Sequence, residues 1–198
     1  MSRPGPPGPP GLRRAFVAVT PPAAVLDAVE RLFRRDPDRR FRWTRRDQWH
    51  ITLQFFGRIR DTVAFTEMLR GVFAGQAAVP LRLRGAGAFP KPARAEVLWL
   101  GVDDGERLAV LHERLCDAAG AFLARRDRVP FLPHLTVARL RRPTDLRADV
   151  EALRDVPVGP AWLADEVTLF ESDTRPEGAV HVPVARYPLG GAVPPGER

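Results

Sequence analysis

The sequence predicts an α+β protein built as two related lobes, and three observations carry that prediction. Short β-branched or apolar runs alternate with stretches whose apolar residues recur every three to four positions. A strand, helix, strand order occurs in both halves of the chain, and each half carries one His-x-Thr on a predicted strand, at His50/Thr52 and His134/Thr136. The 198 residues, 44% of them hydrophobic, suffice for a real core. They read as one compact domain over residues 12–189, between a Pro/Gly-rich segment at 1–11 and a similar one at 190–198, both expected to be mobile tails.

The first strand is the apolar run at 15–19, followed by Thr20-Pro21-Pro22, where Thr can cap a helix and Pro suits its first turn. The helix after it, through Arg35, gathers Val25, Leu26, Val29, Leu32 and Phe33 on one face. Residues 49–56 are rich in aromatic and β-branched side chains and stop at Gly57, which predicts a strand and then a turn. Asp61 is the expected cap of a second helix that turns Phe65, Met68, Leu69, Val72 and Phe73 inward. Strands at 81–89 and 96–102 flank the Pro90-Lys91-Pro92 turn, so the first half is expected to form a mixed sheet with helices on one side. A longer helix has Leu108, Leu111, Leu115, Ala119 and Phe122 as its apolar face, with His112 and Cys116 in or beside that face as structural residues. A strand at 134–139, a short helix near 146–153 and strands at 166–171 and 179–187 complete the order.

Composition narrows the function. A formal net charge of +7 and a pI near 11.1 favour a polyanionic partner, nucleic acid first. Lys91 is the only lysine, so the charge sits on arginine, whose planar fork grips phosphate oxygens in pairs; the richness in Arg, Ala, Gly and Pro also has a purely compositional explanation. The single cysteine, Cys116, excludes an internal disulfide and a zinc-binding cysteine cluster, which fits a reducing cytoplasm. No apolar run reaches the length of a membrane span and no secretory signal opens the chain, so a cytoplasmic monomer with no membrane partner is expected.

His50-Ile51-Thr52-Leu53 and His134-Leu135-Thr136-Val137 share one pattern of His, apolar, Thr, apolar. On a strand, His and Thr then project together while the residue between them enters the core. Nine threonines and four histidines make two such coincidences about a one-in-a-hundred event. Arg139 lies five residues after His134, the wrong parity for the same face, and reaches the motif's side only if the strand bends there. His181 reads as structural or as a rim residue.

With these motifs the sequence resembles the RNA 2',3'-cyclic phosphodiesterases once called 2'-5' RNA ligases, of the 2H phosphoesterase superfamily. The resemblance runs from Arg14-Ala15-Phe16-Val17-Ala18-Val19, through Trp49 to Gly57 and Pro133 to Arg139, to Leu169-Phe170-Glu171-Ser172. It implies two pseudo-symmetric lobes, each a mainly antiparallel sheet with helices on its outer face, around a central cleft. It also implies His50 and His134 as the catalytic pair, Thr52 and Thr136 as phosphate-oxygen ligands, and Arg139 as a further phosphate ligand. The implied reaction is hydrolysis of RNA or nucleotide 2',3'-cyclic phosphates to 2'-phosphates without metal, ATP or other cofactor, with reversible 2'-5' ligation as its counterpart. The implied partners are RNA ends bearing a 2',3'-cyclic phosphate or small cyclic nucleotides. The resemblance favours His50 as proton donor and His134 as acceptor, although the near-symmetry of the motifs leaves both assignments open.

Two imidazoles suit this chemistry, since a group with an ordinary pKa near 6.5 serves as acid or base close to neutrality. A non-catalytic module holding RNA ends or nucleotides is the second reading. A metallohydrolase is disfavoured because His-x-Thr is not a common chelating spacing and no acidic residues cluster around either motif. A cysteine or serine hydrolase lacks a nucleophile context at Cys116, Ser2 or Ser172.

Overall fold

The computed structural model describes residues 11–33, 40–103, 105–122, 130–175 and 178–190, so both expected tails lie outside the described residues except at Gly11 and Gly190. In chain order the elements are β1 (Leu12–Val19), α1 (Ala23–Phe33), β2 (Phe41–Trp43), β3 (Ile51–Ile59), α2 (Thr62–Phe73), β4 (Val79–Phe89), β5 (Ala95–Asp103), α3 (Gly105–Ala118), β6 (His134–Thr144), α4 (Arg147–Ala152), β7 (Pro157–Ala164), β8 (Glu166–Arg175) and β9 (Gly178–Pro188).

The strands form one curled sheet in the order β7-β4-β5-β6-β3-β1-β8-β9, with β2 attached to β6. All these pairings are antiparallel, and the mixed sheet expected from the first half is not formed. The turn between β4 and β5 is too short for the crossover that parallel strands require, and the longer path from β1 to β3 left their direction undetermined in the sequence. Two four-stranded units emerge, β3-β1-β8-β9 and β6-β5-β4-β7, joined where Ile51 pairs with Leu135. These lobes do not coincide with the halves of the chain, because β8 and β9 close onto β1 and β3 while β4 to β7 build the second lobe.

Gly57 does not end β3 as expected. It sits inside the strand at φ +70°, a conformation that favours glycine, where Phe16 pairs with Phe55, Ala15 pairs with Gly57, and Phe56 is left over as a bulge. Asp61 caps α2 as expected, accepting the Ala64 N–H at 2.9 Å, and Phe65, Leu69 and Phe73 enter the core. The Pro22 carbonyl takes the first bonds of α1, two residues after the expected Thr20 cap. The buried stripe of α1 is Val25 and Val29, whereas Leu32 is exposed. Strand β7, with Pro157, Gly159 and Pro160, has no counterpart in the expected element order; it is an edge strand, where missing N–H donors are tolerated.

Candidate active site

Each histidine stands at the entrance to its strand and is oriented by its own backbone. His50 immediately precedes β3 and donates from Nδ1 to the Gln48 carbonyl at 2.6 Å; His134 opens β6 and donates from Nδ1 to the Leu132 carbonyl at 2.8 Å. A carbonyl only accepts, so each neutral ring keeps its proton on Nδ1 and presents Nε2 as the free lone pair. The segment before His50 is itself anchored, by Gln48 donating to the Ala179 carbonyl of β9 and by Arg46 pairing with Asp27 of α1 at 2.7 Å.

Aromatic rings fix both imidazoles. Phe16 and His181 lie 4.9 and 5.0 Å from His50 between ring centroids, and Phe89 and Trp99 lie 5.0 and 5.8 Å from His134. Trp99 can lie there because its cross-strand partner is Gly87, where a Cβ would fall 2.1 Å from the indole.

Both His-x-Thr pairs line one cleft of about 550 Å³. The antiparallel pairing of Ile51 with Leu135 sets Thr52 opposite His134 and Thr136 opposite His50. A polar quartet results, with a pseudo-twofold axis between two fully buried aliphatic side chains. A larger cavity of about 740 Å³ backs onto His50 but includes neither His134, Thr52 nor Thr136, so only the smaller cleft gathers both motifs.

Arg139 reaches the same cleft, and its parity is resolved by a bulge. Trp99 pairs with Thr136 and Leu98 with Ala138, leaving Val137 over; Val137 and Ala138 are both buried and Arg139 returns to the cleft side. Strand β3 repeats the device, since Ala18 pairs with Thr52 and Val17 with Gln54, leaving Leu53 over and returning Phe55 to the cleft. At each bulge the extra residue's carbonyl finds a partner outside the regular ladder. The Leu53 carbonyl accepts from His112 Nδ1 at 2.8 Å, and the Val137 carbonyl accepts from the Thr44 N–H at 2.9 Å. His112 and Cys116 therefore support β3 from behind, with the Cys116 thiol 3.4 Å from Gln54 Oε1.

Sequence reasoning missed Arg14, Arg42, Trp43 and Phe55 on the cleft wall; only the excess of arginine hinted at the first two. His181, read as structural or rim, lies in the cleft against His50. Among the described residues no carboxylate lines this cleft, and no group of three His, Cys, Asp or Glu side chains could hold a metal ion. No helix among them is long and apolar enough to cross a membrane.

Burial pushes the His50 imidazole down to about 4; the Gln48 carbonyl opposes this, and His181 and His134 add to it. Burial also lowers His134, opposed by the Leu132 carbonyl and assisted by the Arg139 guanidinium. The cleft thus joins two oriented lone pairs, two hydroxyls and cationic walls, which suits proton transfer at an anionic phosphorus centre.

The chain matches the family model of the 2'-5' RNA ligase superfamily over residues 18–176. It is 29% identical over 183 residues to a Methanothermobacter thermautotrophicus protein named RNA 2',3'-cyclic phosphodiesterase, a match covering 89% of this chain and 98% of that one. A crystal structure from Thermus thermophilus is similar at a TM-score of 0.76 and 26% identity, covering 91% of this chain and all of that one. Escherichia coli LigT, crystallised in complex with 3'-AMP, is similar at a TM-score of 0.68 and 26% identity, covering 90% of this chain and 98% of that one.

Proposed function

The chain belongs to the 2'-5' RNA ligase superfamily, and from that premise we propose that it is an RNA 2',3'-cyclic phosphodiesterase whose acid–base pair is His50 and His134. The observation that carries the assignment is the pairing of two His-x-Thr strands about Ile51 and Leu135, with both Nε2 lone pairs left free beside one cleft.

In this reading water attacks phosphorus in line with the bond to the ribose 3'-oxygen. One imidazole takes the water proton, the other protonates the departing 3'-oxygen, and phosphorus stays on the 2'-oxygen. The hydroxyls of Thr52 and Thr136 donate to the non-bridging oxygens, and Arg139 offsets the charge that grows on them. Burial keeps His50 neutral in the free protein, so a donor role requires the bound anion, which raises the proton affinity of both rings. If an RNA 5'-hydroxyl replaces water, the same steps form a 2'-5' bond. The chemistry draws only on the protein's own groups, with neither metal nor ATP.

A short RNA ending in a 2',3'-cyclic phosphate tests the proposal. Turnover is expected, at a rate unchanged by excess chelator; a loss restored by added divalent metal contradicts the metal-free mechanism, and tight binding without turnover replaces the enzyme with a binding module. The pH profile of kcat/KM should be bell-shaped and centred below 6.5, because the acid must be protonated, the base neutral, and both imidazoles are lowered in the free protein. A bell centred above 7 would contradict this electrostatic account.

A further inference from the structure

Strand β2 is three residues long and pairs with β6 alone. It is held by Trp43, whose ring lies 4.7 Å from Phe41 and 5.3 Å from Phe33. What this small anchored strand presents to the cleft is Arg42, exposed and directly opposite Arg139 in the register. Like charges facing each other on neighbouring strands repel. Two residues further along β6, Arg141 is exposed as well, and its backbone N–H bonds the Arg40 carbonyl, so the register continues beyond the cleft mouth.

Several other surface arginines are neutralised by carboxylates, as in Arg147 with Asp145, Arg154 with Glu151 and Arg186 with Glu166. Even Arg45 on the cleft wall is held by Asp47 at 2.9 Å. Among the described residues, Arg42, Arg139 and Arg141 pair with no carboxylate. Repulsion left uncompensated along one strand pair calls for an external polyanion. Successive same-side positions on a strand are about 6.6 Å apart, comparable to successive phosphates in an extended nucleic acid strand. Trp43 lines the cleft beside this row, and Phe55, 48% exposed with Arg14 above its ring at 5.9 Å, offers a face on which a base can stack.

We propose that Arg139, Arg42 and Arg141 form a track for the RNA backbone, leading from the scissile phosphate to the phosphodiesters upstream of it. The preferred substrate is then an RNA chain end rather than a free cyclic mononucleotide. This inference rests on the phosphodiesterase reading for the inner end of the track and on the arginine register for the remainder.

The test compares a tetranucleotide ending in a 2',3'-cyclic phosphate with adenosine 2',3'-cyclic phosphate, for the protein and its Arg42→Ala/Arg141→Ala double variant. Binding of a labelled tetranucleotide is measured alongside. The protein should favour the tetranucleotide in kcat/KM by at least about tenfold, and the double variant should lose most of that preference through KM. Its log–log salt dependence should become shallower by roughly 1.4, about 0.7 for each lost single-strand phosphate contact. Restored preference in Arg42→Lys/Arg141→Lys would support a charge-based track. An unchanged preference, or equal losses on both substrates, overturns the proposal. Should neither substrate turn over while tetranucleotide binding still falls in the double variant, the phosphodiesterase reading fails and the track stands; binding indifferent to the variant overturns the track whatever the turnover.

Discussion

Replacing either His50 or His134 with alanine is expected to lower turnover of an RNA 2',3'-cyclic phosphate by at least about 100-fold, the usual minimum for losing a positioned acid or base. The reason is geometric. Each ring is fixed through Nδ1 by a backbone carbonyl two residues before it, in the segment leading into its strand, and a side chain elsewhere would need a different anchor to place a nitrogen at the same Nε2 position. His181 touches His50, but edge-on at 5.0 Å and from β9, a different strand from either motif. The double variant should lose little more than the worse single variant, because the two groups act on one transition state. Thermal melts within a few degrees of the parent protein would separate lost chemistry from lost folding, and near-parental turnover in either single variant would rule out the pair. Thr52→Ala and Thr136→Ala should do less damage, since each removes one neutral donor and leaves the proton transfers in place.

The largest expected effect on stability comes from Leu135→Ala. Leu135 is fully buried and pairs with Ile51 where the lobes join, so the deletion removes apolar contact and leaves a cavity at the junction that the surrounding packing cannot easily close. Buried leucine-to-alanine changes cost about 2–5 kcal/mol, and denaturant unfolding should show a loss in that range. Leu163→Ala, at a side chain 59% exposed, serves as the control and should change little. A loss below about 1 kcal/mol at Leu135 would mean that the junction is less tightly packed than its burial implies.

The sequence made the central motif legible because a two-residue period is short and local. Once His50/Thr52 and His134/Thr136 fall on strands, their side chains must share a face. The cap at Asp61 and the inward stripe of α2 were readable for the same reason. What escaped was non-local or singular. Nothing in the local composition tells β8 and β9 to close onto β1 and β3. A three-residue strand such as β2 has no measurable period, and with it Arg42 was lost from view. The bulges at Leu53 and Val137 are single-residue events without a compositional signal, yet they decide that Phe55 and Arg139 face the cleft. Gly57 carried a true signal of positive φ, but a bulge and a turn use glycine alike.

The claim beneath all of this is that two imidazoles, distant in the chain, share one phosphate. Histidine-selective 15N NMR during titration with a nucleoside 2'-phosphate measures it directly, one ring at a time. The Nε2 resonances of His50 and His134 should move together along a single binding curve of one ligand per chain, and both should stay unmoved by the same nucleoside without its phosphate. Movement of only one ring, or of the two along separate curves, would contradict a shared phosphorus site.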